Sequence, residues 1–170
     1  LHAFDAKQLQ GQKIIVEKAK AQEKFITLDG TELTLNGEEL MIKDAERSVC
    51  MAGVIGGKNS GVTETTQEIF LEAAFFALHG VRKASRSHGL NTDSSYRFSR
   101  GVDSEGTMRA LDRATELLLK VAGGSAFAEP HDFYPQAQKK EFVRISIKTV
   151  SDRLGYTADP KKFEDFMTRL

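Results

Sequence analysis

Residues 68–89 read EIFLEAAFFALHGVRKASRSHG, and the character of the chain changes inside them. The first part, EIFLEAAF (68–75), is almost continuously apolar and has the length of a strand covered on both faces. The second part, ALHGVRKASRSHG (77–89), is basic and predicts a short helix stopped by Gly89. Strand-like patterns lie upstream of this junction, and helical ones dominate downstream.

Upstream, KIIVEKAK (13–20) opens with β-branched residues and predicts a strand. FITLDGTELTL (25–35) alternates on both sides of Asp29-Gly30, the dipeptide that most strongly signals a hairpin. LMIKD (40–44) and SVCMAGVI (48–55) predict further strands, the latter buried on both faces. GGKNSGVTETTQ (56–67) is a glycine and hydroxyl loop.

Downstream, GLNTDSSYRFSRGVD (89–103) holds almost nothing a core would use. From Ser104 the period is helical, with Met108, Leu111, Ala114, Leu117, Leu118 and Val121 on one stripe. Asp112, Arg113, Glu116 and Lys120 face away from it. Asp103 or Ser104 can cap the start, and Gly123 and Gly124 end the helix. Residues 125–140 contain Pro130, Pro135 and the polar run QAQKK, and predict a boundary. Beyond it, EFVRISIK (141–148) predicts a strand, followed by helical segments in TVSDRLGY (149–156) and DPKKFEDFMTRL (159–170).

The 170 residues suit one compact domain, or one domain and part of another. A net charge of zero argues against a global field for nucleic acid or membrane and leaves room for a local patch. No apolar run is long enough to span a membrane, and no signal-peptide pattern is present. Cys50 is the single cysteine, which points to a reducing compartment and a role as a small buried hydrophobe. A start at Leu1 and an end inside a helical pattern suggest a piece excised from a longer protein.

The chemistry-bearing residues are few. His2, His79, His88 and His131 lack the spacing of a metal site, and no HExxH or CxxC occurs, so no metal is expected. No GxSxG elbow is present. Gly56-Gly57 follows an apolar strand without forming a GxGxxG or Walker loop; it is either a turn or a place of close backbone approach to a ligand. Glu72 interrupts IFLEAAFF, where a buried carboxylate requires a donor from the protein or a ligand. Its simpler role is a solvent-facing residue on a half-exposed strand. Arg82, Lys83, Arg86, Arg97 and Arg100 cluster with Asp93 as the only acid among them. They form either a solvated helix face or a phosphate contact for RNA or DNA.

Taken in order, LHAFD (1–5), LDGTEL (28–33), MAGVIGG (51–57), NSGV (59–62), IFLEAAFF (69–76), HGLNTDSSYRFSRGVD (88–103) and ALDRATELL (110–118) resemble the beta subunit of bacterial phenylalanyl-tRNA synthetase. The match covers the editing region of that subunit, its third and fourth modules, over roughly residues 1–125. Residues 141–170 resemble the opening of the next, helix-turn-helix-like module. The resemblance implies an α+β fold: β-sandwich-like mixed sheets of unusual topology flanked by helices, then a small strand-helix-helix segment. It divides the chain into an editing domain, 1–135, and the start of the following module, 136–170.

The activity implied is hydrolysis of tyrosine wrongly esterified to tRNA(Phe). The family's site positions fall on His2, Gly53, Gly56, Glu72, Thr92 and Ser94. His2 and Thr92 would serve catalysis by orienting substrate or water. Gly53, Gly56, Glu72, Thr92 and Ser94 would bind the substrate, with Glu72 reading the tyrosine hydroxyl. Some relatives carry alanine at the Ser94 position. Ser99 stands where the family's RFERGVD has glutamate, which alters the local ion pairing, and a family segment upstream of LHAFD that forms part of the pocket wall is missing. The implied partners are tRNA(Phe), tyrosine and the synthetase alpha subunit in a heterotetramer, in the cytoplasm and without a membrane. No cofactor is expected in this piece; ATP and Mg belong to the full enzyme. The rival reading is a non-catalytic scaffold that binds RNA or the partner subunit. The two part on whether Gly56, Glu72, Thr92 and Ser94 lie together or on different faces.

Overall fold

Asp29-Gly30 does turn the chain. In the computed structural model, which describes residues 1–126, 130–135 and 142–170, strands β3 (Lys24–Ile26) and β4 (Glu32–Thr34) pair antiparallel around it. Phe25 and Leu33 face each other across this hairpin and are both buried, as the alternation requires. Thr27 closes the loop: its N–H donates to the Thr31 carbonyl at 3.0 Å, and the Gly30 N–H donates back to Thr27 O at 2.8 Å.

The chain divides into two compact units, Leu1–Phe127 and Ala128–Leu170. The first contains all the strands found among the described residues, and every ladder is antiparallel. The largest sheet has the order β2-β5-β6-β7, formed by Ile15–Lys18, Leu40–Lys43, Ser48–Met51 and Ile55–Gly56. A separate ribbon joins β1 (His2–Asp5) to β8 (Ile69–Glu72), which are the first and last strands of the unit. Helices α1 (Leu78–Ser87), α2 (Asp93–Phe98) and α3 (Thr107–Ala122) follow. Sheets and helices are therefore segregated along the chain, and the fold is α+β.

The core gathers Phe4, Leu35, Met41, Ile42, Val49, Met51 and Val54, each essentially inaccessible, with Phe25, Phe76 and Val81 beside them. One buried histidine–carboxylate hydrogen bond fastens the end of α1 to the edge of β5. His88 Nε2 lies 2.6 Å from Glu39 Oε1, and Glu39 is 1% exposed. Burial pushes the Glu39 carboxyl up, but hydrogen bonds from His88 and from the Asn36 N–H outweigh it and leave its pKa below the ordinary value.

Three sequence expectations need correction. SVCMAGVI is not one strand: β6 ends at Met51, the chain turns at Ala52–Val54, and β7 returns at Ile55. Gly53 permits this with φ +68°, a conformation L side chains rarely adopt. EIFLEAAF is not covered on both faces. β8 pairs only with β1, so Ile69 and Phe70 remain about 40% exposed in a two-stranded ribbon. In the second unit, EFVRISIK is not a strand over its described residues. Residues 142–146 make no ladder, since no second strand is present among the unit's described residues, and a helix starts at Ile147. Glu141 lies outside the described residues, as does half of the expected boundary, at 127–129 and 136–140.

The remaining helices follow their signals. α1 stops at His88 and Gly89, whose φ is +62°. α3 ends at Gly123, and its predicted stripe forms, although Leu117, Leu118 and Val121 are exposed. In the second unit, Ser146 caps α4 (Ile147–Leu154), and Asp159 caps α5 (Pro160–Arg169), which has Pro160 in its first turn.

Replacing Glu39 with alanine leaves two backbone N–H groups (Asn36 and Gly37) and His88 without their acceptor. Leaving these buried donors unsatisfied should cost about 1–3 kcal/mol. Urea unfolding of Glu39→Ala against the parent chain measures it, and an unchanged midpoint would contradict the assigned role.

Candidate functional site

The tight hairpin β6–β7 is the hub of the predicted site residues. Its two strands pair Cys50 with Gly56 and Met51 with Ile55. The Gly57 N–H donates to Val49 O at 2.8 Å, and the Leu28 N–H donates to Gly56 O at 2.8 Å. The hairpin is thus bound on both edges, by the sheet and by the β3–β4 loop.

A turn this tight leaves its carbonyls without strand partners, and they need donors from elsewhere. Two of the predicted residues supply them. Thr92 Oγ1 donates to Val54 O at 2.6 Å, and Ser94 Oγ donates to Gly53 O at 2.9 Å. Thr92 is also the N-cap of α2. Its hydroxyl accepts from the Ser95 N–H at 3.0 Å, and the Ser95 hydroxyl accepts from the Thr92 N–H in return, completing a capping box. The polar stretch 89–103 therefore seats a short helix on the hairpin through its first residues.

Gly53 and Gly56 are both needed as glycines, for different reasons. A Cβ on Gly53 would lie 2.9 Å from Val81 Cγ2 and 3.0 Å from Phe76 Cδ2, beneath the tilted Phe76–Phe98 ring pair. A Cβ on Gly56 would lie 2.6 Å from His2 Cε1. The His2 imidazole thus rests directly on the Gly56 backbone, with the centroid of the Phe4 ring 4.4 Å from its own. Burial and the neighbouring amino terminus lower the His2 pKa, so the neutral ring is favoured.

Glu72 enters through the β1–β8 ribbon, whose register sets it opposite His2. Side chains of paired residues share a face of the ribbon, so carboxylate and imidazole occupy the same side. No hydrogen bond or ion pair from the described residues reaches the Glu72 carboxyl. Burial raises its pKa to about 7, far above the ordinary carboxylate range. Cys50, paired with Gly56 in the hairpin, feels the same carboxylate. Burial, and then Glu72, push its thiol well above its usual range, which suits a buried hydrophobe and not a nucleophile.

His2, Gly53, Gly56, Glu72, Thr92 and Ser94 are accordingly tied to one hairpin. The sequence indicated all six, but it did not indicate that the two hydroxyls are engaged with turn carbonyls, nor that Phe4 and Cys50 adjoin the group. His88 is bound to Glu39 instead, and among the described residues no cluster of three or more metal-ligating side chains occurs. No described helix is long and apolar enough to cross a membrane.

The sequence profile described as the B3/4 domain matches residues 1–123. The chain is 64% identical, over its whole length, to a phenylalanine–tRNA ligase beta subunit of Bdellovibrio bacteriovorus, of which it covers 21%. It is 43% identical over 161 residues, 94% of its length, to the beta subunit of that name from Geobacter metallireducens, of which it covers 20%. A third, from Hahella chejuensis, is 44% identical over the whole chain, which covers 22% of it. The chain spans about a fifth of the length of these relatives.

The two glycines of the hairpin can be separated experimentally. Gly56→Ala meets only the end of the His2 side chain, whereas Gly57→Ala meets the Val49 carbonyl at 2.8 Å, which cannot swing away. Gly57→Ala should lose about 1–3 kcal/mol as an overpacked site, and Gly56→Ala less than about 1 kcal/mol while displacing the His2 ring. Thermal melts together with the His2 imidazole NMR signals distinguish them; equal melts would contradict the geometry.

Glu72 sets a pH dependence. Its carboxyl binds its proton more tightly folded than unfolded, so stability is undiminished below about pH 4.5 and falls as pH rises through about 7. Glu72→Gln should match the parent at pH 4 and exceed it in stability at pH 8. A constant difference at the two pH values would rule out the raised pKa.

Proposed function

The chain belongs to the B3/4 domain family, and on that ground we propose that its hairpin site is an editing centre that hydrolyses tyrosine misattached to tRNA(Phe). Residues 1–135 would form the editing domain of a phenylalanine–tRNA ligase beta subunit, and 136–170 would begin its next module. The observation that carries the reading is the Glu72 carboxyl, held among apolar neighbours opposite His2 with no donor from the described residues.

Phenylalanine and tyrosine differ by one hydroxyl, and an apolar synthetic pocket rejects the added group only moderately. A correcting site cannot select by size, because phenylalanine fits wherever tyrosine fits. It must bind the hydroxyl itself. Glu72 accepts the phenol proton in a strong hydrogen bond when tyrosine enters, and is left unpaired when phenylalanine does. A donor missing from a buried acceptor costs on the order of 1–3 kcal/mol, which is roughly a factor of 5 to 150 in selectivity.

The scissile bond is an activated ester, so the site needs to position water and steady an oxyanion more than to supply a strong base. Neutral His2 can orient water, and the free lone pairs of the Thr92 and Ser94 hydroxyls can accept from the substrate amine or water. Ester hydrolysis of this kind needs no cofactor. ATP and Mg would serve the synthetic reaction of the whole enzyme, which would act in the cytoplasm with an alpha subunit in a heterotetramer.

Deacylation of Tyr-tRNA(Phe) and Phe-tRNA(Phe) by the complete synthetase tests the assignment. Glu72→Ala should lose at least about tenfold in tyrosine selectivity with the fold intact. In the parent enzyme, tyrosine selectivity should rise as pH passes about 7 and Glu72 ionises, and Glu72→Gln should flatten that profile. Unchanged selectivity in both variants would sink the editing role and leave a binding module.

A further inference from the structure

A second feature of the helical half has no part in the hairpin site. Between α1 and the end of α2 lies a cleft of about 690 Å³ lined by Arg82, Ser85, Arg86, Asn91, Ser99 and Arg100, among others. Three guanidiniums and no carboxylate line it. Arg82 and Arg86 are one helical turn apart on α1 and project from the same face. Arg100 forms the opposite wall.

Among the described residues, none of these three arginines has an acidic partner. Three exposed cations elsewhere on the first unit do have one: Lys83 pairs with Glu38 at 2.9 Å, Arg109 with Asp103 at 3.2 Å and Arg113 with Glu116 at 2.7 Å. The main-chain carbonyl of Ser99 anchors the Arg82 guanidinium, with Nε donating at 3.0 Å. Arg100 is likewise pre-set. Its guanidinium lies 3.4 Å from the centroid of the exposed Tyr96 ring, and its Nη1 donates to Tyr96 O at 2.8 Å. Two of the three arginines are thus held in place by the backbone of residues 96–99 while keeping N–H groups free. Arg86 makes no hydrogen bond to the described residues.

We propose that this cleft holds the phosphodiester backbone of an RNA strand, with Arg82, Arg86 and Arg100 contacting successive phosphates. A trough of about 690 Å³ that carries three guanidiniums has room and charge for more than a single phosphate, which suits a chain of anions. The exposed Tyr96 ring, backed by Arg100, adds a stacking surface of the kind that single-stranded segments use. Asn91 and Ser85 add neutral polar groups that can bond sugar or phosphate oxygens. The choice of RNA rests on the tRNA-editing reading; the cleft's anion chemistry does not.

The test is equilibrium binding of tRNA(Phe) to the complete synthetase over a range of salt concentrations. Arg86→Ala and Arg86→Glu disturb no intrachain bond among the described residues, and Arg109→Ala removes a cation outside the cleft. With Arg86→Ala the slope of log affinity against log salt should become shallower by about 0.7–0.9, the loss of one phosphate contact. Arg86→Glu should weaken binding further, and Arg109→Ala should leave the slope unchanged. Slopes and affinities equal to the parent for both Arg86 variants would overturn the proposal. So would protection of the cleft by inorganic phosphate with no effect of either variant on tRNA, which would assign it to a small anion. Altered slopes in an enzyme that does not deacylate Tyr-tRNA(Phe) would support the cleft while removing the editing role, so the two failures are distinguishable.

Discussion

The carbonyls of Gly53 and Val54 cannot be satisfied by the sheet that contains them. They sit in the bend of a hairpin with two residues on its return strand, and no neighbouring strand reaches them. An unpaired buried carbonyl is costly, so the fold requires donors from the helical half of the unit. Thr92 and Ser94 are those donors. Through them α2 acquires a fixed position, and with it the Phe98 ring that covers Gly53 and the wall of the basic cleft. On the other side, Gly56 receives the His2 ring and so locates the β1–β8 ribbon. The hairpin is small, yet it is where the β and α parts of the unit meet.

This arrangement explains which features the sequence displays and which it hides. Asp29-Gly30, the caps of α4 and α5 and the glycine stops of α1 and α3 are local, since the residues that decide each lie within a few positions of one another. The break in SVCMAGVI is also local but ambiguous. A glycine in an apolar run is compatible with a continuous strand, and only the positive φ of Gly53 makes it a turn. The β1–β8 ribbon is not local: its register pairs His2 with Glu72 across most of the unit, and neither segment carries a signal for the other. That is why Glu72 stands out as a carboxylate among apolar residues, while its position opposite an imidazole and its nearness to Cys50 are invisible until the chain folds. EFVRISIK fails for the converse reason. Its alternation suits a strand, but pairing requires a partner, and the second unit's described residues contain none.

Of the six candidate residues, Glu72 and Gly56 stand out in the sequence itself, and the others were legible only as a resemblance, residue by residue. Geometry adds what ties them together, and it assigns double duty to the hydroxyls. A hydroxyl has one hydrogen and two lone pairs. Thr92 spends its hydrogen on Val54 and one lone pair on the Ser95 N–H, and Ser94 spends its hydrogen on Gly53. What remains to face a ligand is acceptor capacity, one lone pair on Thr92 and two on Ser94. On the proposed reading, these groups can hold an ammonium or a water but cannot donate to a developing oxyanion without releasing the turn.

The same accounting separates half-buried Glu72 from Glu39 and Asp44, which are fully buried. Glu39 accepts from two backbone N–H groups and from His88, and Asp44 accepts from the N–H groups of Gln10, Glu46 and Arg47. In both, donors overcome the burial that opposes ionisation, and their pKa values fall below the ordinary range. Glu72 experiences burial without such donors, and its pKa rises. A fold that satisfies its buried carboxylates so fully, and leaves this half-buried one without a donor from the described residues beside an imidazole resting on glycine, loses stability above neutral pH. On the proposed reading, a bound phenol removes that penalty, because it brings a donor to a half-buried acid whose described neighbours supply none.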